Sequence, residues 1–287
     1  MSVSQGKSNR PRLVWRLLSF SLGLATALAP LVFVRPQWLQ LGLAVVVFTV
    51  VLAVWARRVE NSTLFHFGLT LSARFFLECA LGAIIAMAAV GAIFASLIVW
   101  DGTALVQFHA ADLSAAGQSA IGAFAIRMAM VGYWEETLFR GFLFRQFSNT
   151  PAGPAKLNAR TAIAVVAASL LFGLAHAWTD SFSLAAFALL SLNGAAFAVP
   201  MLMTGRLGMS IGMHAAWNFS QSSIFGLPMS GNAPSTSLAS IAHKAPEWWS
   251  GGSYGPEAGL AGLFGTALMA GLAWLACRAL SRLAERV

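Results

Sequence analysis

The stretch Tyr133-Trp134-Glu135-Glu136-Thr137-Leu138-Phe139-Arg140 sets two carboxylates and a guanidinium inside an otherwise apolar run. Charges at such depth are costly unless something pairs or uses them. On a helix, Glu136 and Arg140 are four residues apart with the carboxylate on the N-terminal side, the favourable order for an ion pair. Glu135 lies about 100° further round, away from Arg140. One glutamate therefore has a partner within the helix, and the other is free for chemistry.

The surrounding 287 residues are 58% hydrophobic and 10% charged, with a mean hydropathy of +0.72. Ordinary soluble domains carry roughly a quarter charged residues. This much apolar surface needs lipid to cover it, and the chain reads as an integral membrane protein of the all-α polytopic class. A net charge of +8 would point to nucleic acid in a soluble protein. Here most Lys and Arg fall between or beyond apolar runs, where they orient a membrane protein, so nucleic acid is not an expected partner. The two cysteines, Cys79 and Cys277, lie in apolar segments and read as lipid-facing or packed thiols, not as a disulfide framework.

The first apolar run, Leu17 to Val34, follows a basic tail with Lys7, Arg10, Arg12 and Arg16 and resembles a signal peptide. Its length is nearer the roughly 20 residues that cross a bilayer, and Pro30 would follow the Ala27-Leu28-Ala29 cut, so an uncleaved first span is expected. Further runs are Trp38 to Ala56, Phe75 to Trp100, Ser119 to Phe147, Thr161 to Ala177, Phe182 to Met203, Leu207 to Gly226 and Ala258 to Leu280. About eight transmembrane helices follow. With the N-terminus in the cytoplasm, Arg57, Arg58, Arg74, Arg145, Lys156, Arg160, Arg206, Arg278, Arg282 and Arg286 all fall on the cytoplasmic side, and only Arg35 and Lys244 outside. That bias puts both termini in the cytoplasm of a cell (inner or plasma) membrane. Asp101, Asp112, Asp180, Glu247 and Glu257 fall outside. Asn61 to Arg74 is expected along the interface. Leu227 to Glu257, rich in Gly, Pro and Ser with Trp248 and Trp249, is expected to be a flexible outer segment touching headgroups.

Ionisable and amide side chains inside the membrane are the functional candidates. Beside the Glu-Glu-Arg cluster these are His176, His214 with Asn218, and Asn193. His176 is one turn after Phe172, and Asn218 one turn after His214, so each pair shares a helix face. Taken singly, each has a plainer explanation. The ion cluster alone could lock helices together, and a lone His or Asn such as Asn193 more often makes a bond between helices. Five polar residues at these spacings on three helices argue against coincidence. His66, His109 and His243 lie near or outside the interfaces and receive no role. Gly208-Met209-Ser210-Ile211-Gly212 matches a serine-nucleophile pattern, but in an apolar helix it reads as a Gly-x-x-x-Gly contact. No His-Glu-x-x-His motif occurs.

Glu-Glu-x-x-x-Arg, then Phe-x-x-x-His, then His-x-x-x-Asn, in order on membrane helices, resembles the CPBP intramembrane proteases, the Abi or type II CAAX prenyl endopeptidase-like group. The likeness covers roughly Gly117 to Phe225. It implies an endopeptidase in which Glu135 is the general base on water and His176 helps to hold that water. Glu136 and Arg140 would be the structural pair, with His214 and Asn218 stabilising the oxyanion. Amide hydrolysis needs a base, a positioned water and donors aimed at developing negative charge, and these residue types supply all three. Zinc stays open as a cofactor, with Glu135, His176 and His214 as its ligands. Residues 1–116 would be a tail and three helices, 117–226 the catalytic core of four helices, and 227–287 an outer segment and the last helix. A peptide or membrane-protein substrate and the bilayer are the implied partners. The alternative is a non-catalytic transporter or assembly factor that uses the cluster for protons or a partner. One depth count is discordant. At about 1.5 Å per residue from Arg145, Arg160 and Arg206, Glu136 lies about 13 Å deep and His214 about 12 Å, but His176 about 24 Å.

Overall fold

The computed structural model describes residues 12–101, 105–109 and 114–284. Lys7, Arg10, Asp112 and Arg286, each given a membrane side above, lie outside the described residues. All eight apolar runs are helical. They form α1 (Leu13–Leu28), extended by a 3-10 turn to Phe33, α2 (Gln37–Arg58), α3 (Ala73–Asp101), α4 (Ala115–Glu136), α5 (Phe144–Ser148), α6 (Ala159–Ala175), α7 (Leu184–Thr204), α8 (Gly208–Phe219), a one-turn α9 (Glu247–Ser250) and α10 (Leu260–Ala284). Two short strands, β1 (Leu105–Phe108) and β2 (Ala239–Ala242), pair antiparallel. The chain is a multi-pass, all-α membrane protein. Among the described residues five helices are long and apolar enough to cross a bilayer: Leu13–Phe33, Gln37–Arg58, Ala73–Trp100, Leu184–Thr204 and Leu260–Leu283. The others are shorter or more polar: α6 has 17 residues, α8 has 12, and α4 carries Arg127, Glu135 and Glu136.

Contacts divide the chain into two compact units, Met1–His66 and Phe67–Val287. In the first, α1 and α2 join through a buried ion pair of Arg16 and Glu60 and an edge-on contact of Phe20 with Trp55, 5.5 Å between centroids. In the second, α3 lies along α8 at unusually close range. A methyl group on Gly212 would stand 1.9 Å from the Cys79 carbonyl oxygen, and one on Gly82 would stand 2.2 Å from that of Met209. Only hydrogen fits at either place, so Gly208 and Gly212 serve helix packing. Ser210, fully buried between them, donates to the Phe197 carbonyl at 2.8 Å. Glu78 on α3 closes the inner end of this contact. It accepts from Arg206 Nε at 2.8 Å and from Arg74 Nε at 3.2 Å. The core of the unit is apolar and built from α3, α7, α8 and α10, around Val90, Ile93, Phe197, Met213, Trp217, Met269 and Ala273.

Two sequence expectations change here. The segment after Gly226 is not a loose loop. β2 pairs with β1 in the register Leu105↔Ala242 to Phe108↔Ala239, and Trp248 and Trp249 both pack on Trp100 of α3, at 5.2 and 5.0 Å between centroids. Nor does the region before α3 simply skim the interface. Phe67 is fully buried against Phe142, and the Gly68 carbonyl accepts the Leu207 N–H at 3.0 Å. Both changes have one cause: backbone polar groups near the bilayer must find partners, and a neighbouring segment supplied them.

Candidate active site

Helix α4 starts on Ser114, whose hydroxyl accepts the Gly117 N–H, and ends at Glu136. There it widens into a π-helical turn, Thr137–Leu143, before α5 continues. Such insertions cost helix regularity and recur at functional sites. The turn carries Arg140 into the interior. Its Nη1 donates to Glu136 Oε1 at 2.8 Å, and its Nη2 and Nε donate to the Gly194 carbonyl at 2.8 and 3.2 Å. The guanidinium lies 4.3 Å from the Phe172 ring centroid and 5.4 Å from that of Phe197. A buried cation with a carboxylate, a carbonyl and two ring faces around it has its charge met on every side.

Glu136, fully buried, also accepts from His214 Nδ1 at 2.7 Å. One carboxylate oxygen thus serves both Arg140 and His214. The His214 ring is stacked on Phe197 with 4.8 Å between centroids and 6° between planes. Held at Nδ1 and on its face, it points Nε2 at Glu135 Oε2, 3.8 Å away. Glu135 Oε2 itself has no hydrogen-bond partner among the described residues.

His176 caps the C-terminus of α6. Its Nδ1 donates to the Phe172 carbonyl at 2.9 Å, so the ring folds back one turn toward the start of its own helix. Side chains on a helix lean that way. Arg160, at the start of α6, bonds the carbonyl of Phe147 on α5. The backward fold reduces the discordance in the depth count.

The four side chains Glu135, His176, His214 and Asn218 line one cleft of about 300 Å³, its open mouth included. Phe172, Phe197, Leu190 and Trp217 form its apolar walls. Three further polar residues line it that the sequence had placed elsewhere. Asn193, read as a helix-to-helix bond, is 4% exposed with its Oδ1 unpartnered. Ser230 and Glu257 come from the outer segment. Burial pushes the Glu257 carboxyl above its ordinary range, while hydrogen bonds from Ser230 and the proximity of His176 draw it back. No sequence signal marks Glu257, an acid among glycines and prolines. Glu60 and Glu78 are the other buried acids that sequence reading missed; each is paired with arginine, Glu60 with Arg16 and Glu78 with Arg74 and Arg206, and none of these residues lines the cleft.

As for a metal, among the described residues no group of three or more His, Cys, Asp or Glu side chains is disposed to hold an ion. His214 Nδ1 is committed to Glu136, and the Glu135, His176 and His214 donors do not converge on one point as zinc requires. The residues as arranged do not fit the ion, and no step is derived through it.

In this multi-pass helical protein, a buried glutamate, two histidines and an asparagine stand around one cleft. Residues 117–220, the segment bearing all three motifs, match the family model described as Type II CAAX prenyl endopeptidase Rce1-like. No protein of curated function and no solved structure matches the chain.

Proposed function

We propose that this protein is an intramembrane endopeptidase that hydrolyses a peptide bond with water activated by Glu135. The observation that carries the reading is the unpartnered Glu135 Oε2, buried in the cleft and facing His214 Nε2 at 3.8 Å. A buried carboxylate oxygen without a donor costs stability unless a water or substrate supplies one. In the proposed step Glu135 takes a proton from water that His176 helps to hold, and the water oxygen attacks the scissile carbonyl. His214, carrying a proton on Nε2 as well as on the Nδ1 held by Glu136, and the Asn218 amide donate to the resulting oxyanion, and Glu135 passes its proton to the departing amine. Glu136 and Arg140 act from behind by fixing the His214 ring. Four helices within residues 117–226 form the catalytic core, to which the outer segment adds Ser230 and Glu257.

The substrate is a peptide or a stretch of membrane protein that enters the cleft from lipid. Both termini are cytoplasmic in a cell membrane, on the strength of the Lys and Arg bias. The test is hydrolysis of a membrane-spanning peptide library by the purified protein in liposomes, read by mass spectrometry. Glu135→Gln should abolish every cleavage that the wild type makes and leave the melting temperature unchanged. Full cleavage by Glu135→Gln would overturn the mechanism and favour a transporter or assembly factor.

A further inference from the structure

Part of the cleft wall lies outside the family-matched residues 117–220. Glu257 stands just before α10 and is 5% exposed. Its Oε2 accepts the Ser230 backbone N–H at 2.6 Å and the Ser230 hydroxyl at 3.2 Å, while Gln221 Nε2 donates to the Pro228 carbonyl in the same turn at 2.6 Å. The turn that supplies Ser230 is fastened to the end of α6. Gly231 N–H donates to the Tyr254 carbonyl at 3.0 Å, the Tyr254 hydroxyl lies 3.2 Å from Thr179 Oγ1, and Thr179 donates to the His176 carbonyl at 2.8 Å. The outer segment is therefore built onto the residue whose imidazole enters the cleft. His176 has Nδ1 committed to the Phe172 carbonyl, which leaves Nε2 as its other polar atom, and His176 and Glu257 line the same cleft.

A turn could be held equally well by a glutamine, which accepts the same two bonds from Ser230 without the cost of burying a charge. A carboxyl kept in that place asks for a further reason, and His176 in the same cleft supplies one. We propose that Glu257 is a positioning residue for the hydrolysis, a carboxylate delivered by the outer segment that faces His176 across the cleft and fixes the orientation of its Nε2 toward the reacting water. This rests on the endopeptidase reading above. Carboxylates behind a functional histidine orient the ring and set which nitrogen carries the proton.

The experiment compares Glu257→Gln with Glu257→Asp, measuring kcat and KM for a peptide that the wild type cleaves. Glu257→Gln should lower kcat about tenfold or more, the size of effect seen when such partners are removed, with KM nearly unchanged. Glu257→Asp, shorter but charged, should retain more activity than Gln. A purely structural glutamate predicts the reverse order, since Gln is the isostere, and that order would overturn the proposal. A rise in KM with kcat intact would overturn it too, by making Glu257 a substrate contact. The second measurement needs no turnover: ¹⁵N signals of histidine-labelled protein in a Glu135→Gln background, with His176 assigned by its loss in His176→Asn. Adding Glu257→Gln should move the His176 Nε2 signal and leave His214 in place. An unmoved His176 signal sinks the proposal even if hydrolysis is confirmed. A shifted signal in a chain that cleaves nothing upholds the Glu257–His176 pairing and rejects the endopeptidase reading alone.

Discussion

At the scale of single residues, the two adjacent glutamates differ in what surrounds them. Glu136 bonds Arg140 and His214 through one oxygen and is sealed from solvent, whereas Glu135 keeps 12% of its side chain exposed and one oxygen unpartnered. Removing one partner of a buried ion pair leaves the other charge uncompensated, at about 3–5 kcal/mol. Glu136→Gln is thus expected to lower the melting temperature in detergent strongly, and Glu135→Gln to leave it unchanged while abolishing cleavage. The reverse pattern, a stable but inactive Glu136→Gln beside a fully active Glu135→Gln, would exchange their roles. Arg140→Lys should also destabilise. A single ammonium cannot reach both Glu136 and the Gly194 carbonyl as the guanidinium fork does, and the fork's packing on Phe172 is lost.

At the scale of elements, the α3–α8 contact fixes where His214 and Asn218 stand. Gly212→Ala places a methyl group 1.9 Å from the Cys79 carbonyl oxygen, so the backbones must part. A loss of about 1–3 kcal/mol is expected, together with reduced activity, because His214 is only two residues away. Gly271→Ala on α10, where nothing lies within 4 Å, serves as the control and should leave both unchanged. The outer segment is the second element with a consequence. The groups facing Glu257 are Ser230, Gln221, His176 and Tyr254. An acid whose folded pKa is raised binds its proton more tightly folded than unfolded. Its stabilising contribution is therefore complete below the ordinary 4.5 and is lost as pH rises through the folded value. Glu257→Gln mimics the protonated form, so it should raise the melting temperature at neutral pH, and the gain should vanish as pH falls toward 4.5. A variant that is more stable and less active is the signature expected of a charge kept for function.

For the whole molecule, the Lys and Arg bias makes a directional prediction. In a Cys79→Ser, Cys277→Ser background, a cysteine at exposed Arg282 should be protected from a membrane-impermeant thiol reagent in intact cells, and one at exposed Glu247 should react. The opposite result would invert the topology, and with it the side from which the cleft opens.

The sequence by itself determined that the chain spans a membrane repeatedly as helices, because 58% hydrophobic composition in bilayer-length runs has no other stable arrangement. Helical spacing also made the Glu136–Arg140 pair legible, since residues four apart meet on any helix. Only the tertiary structure decided what reaches across helices. The Gly194 carbonyl on Arg140 and the second bond of Glu136 to His214 depend on how α4, α7 and α8 lie together. It also decided that Asn193, Ser230 and Glu257 line the cleft. A residue's period along its own helix says which face it occupies. What that face meets is set by packing between segments distant in sequence, and a Gly- and Pro-rich segment has no period to read at all.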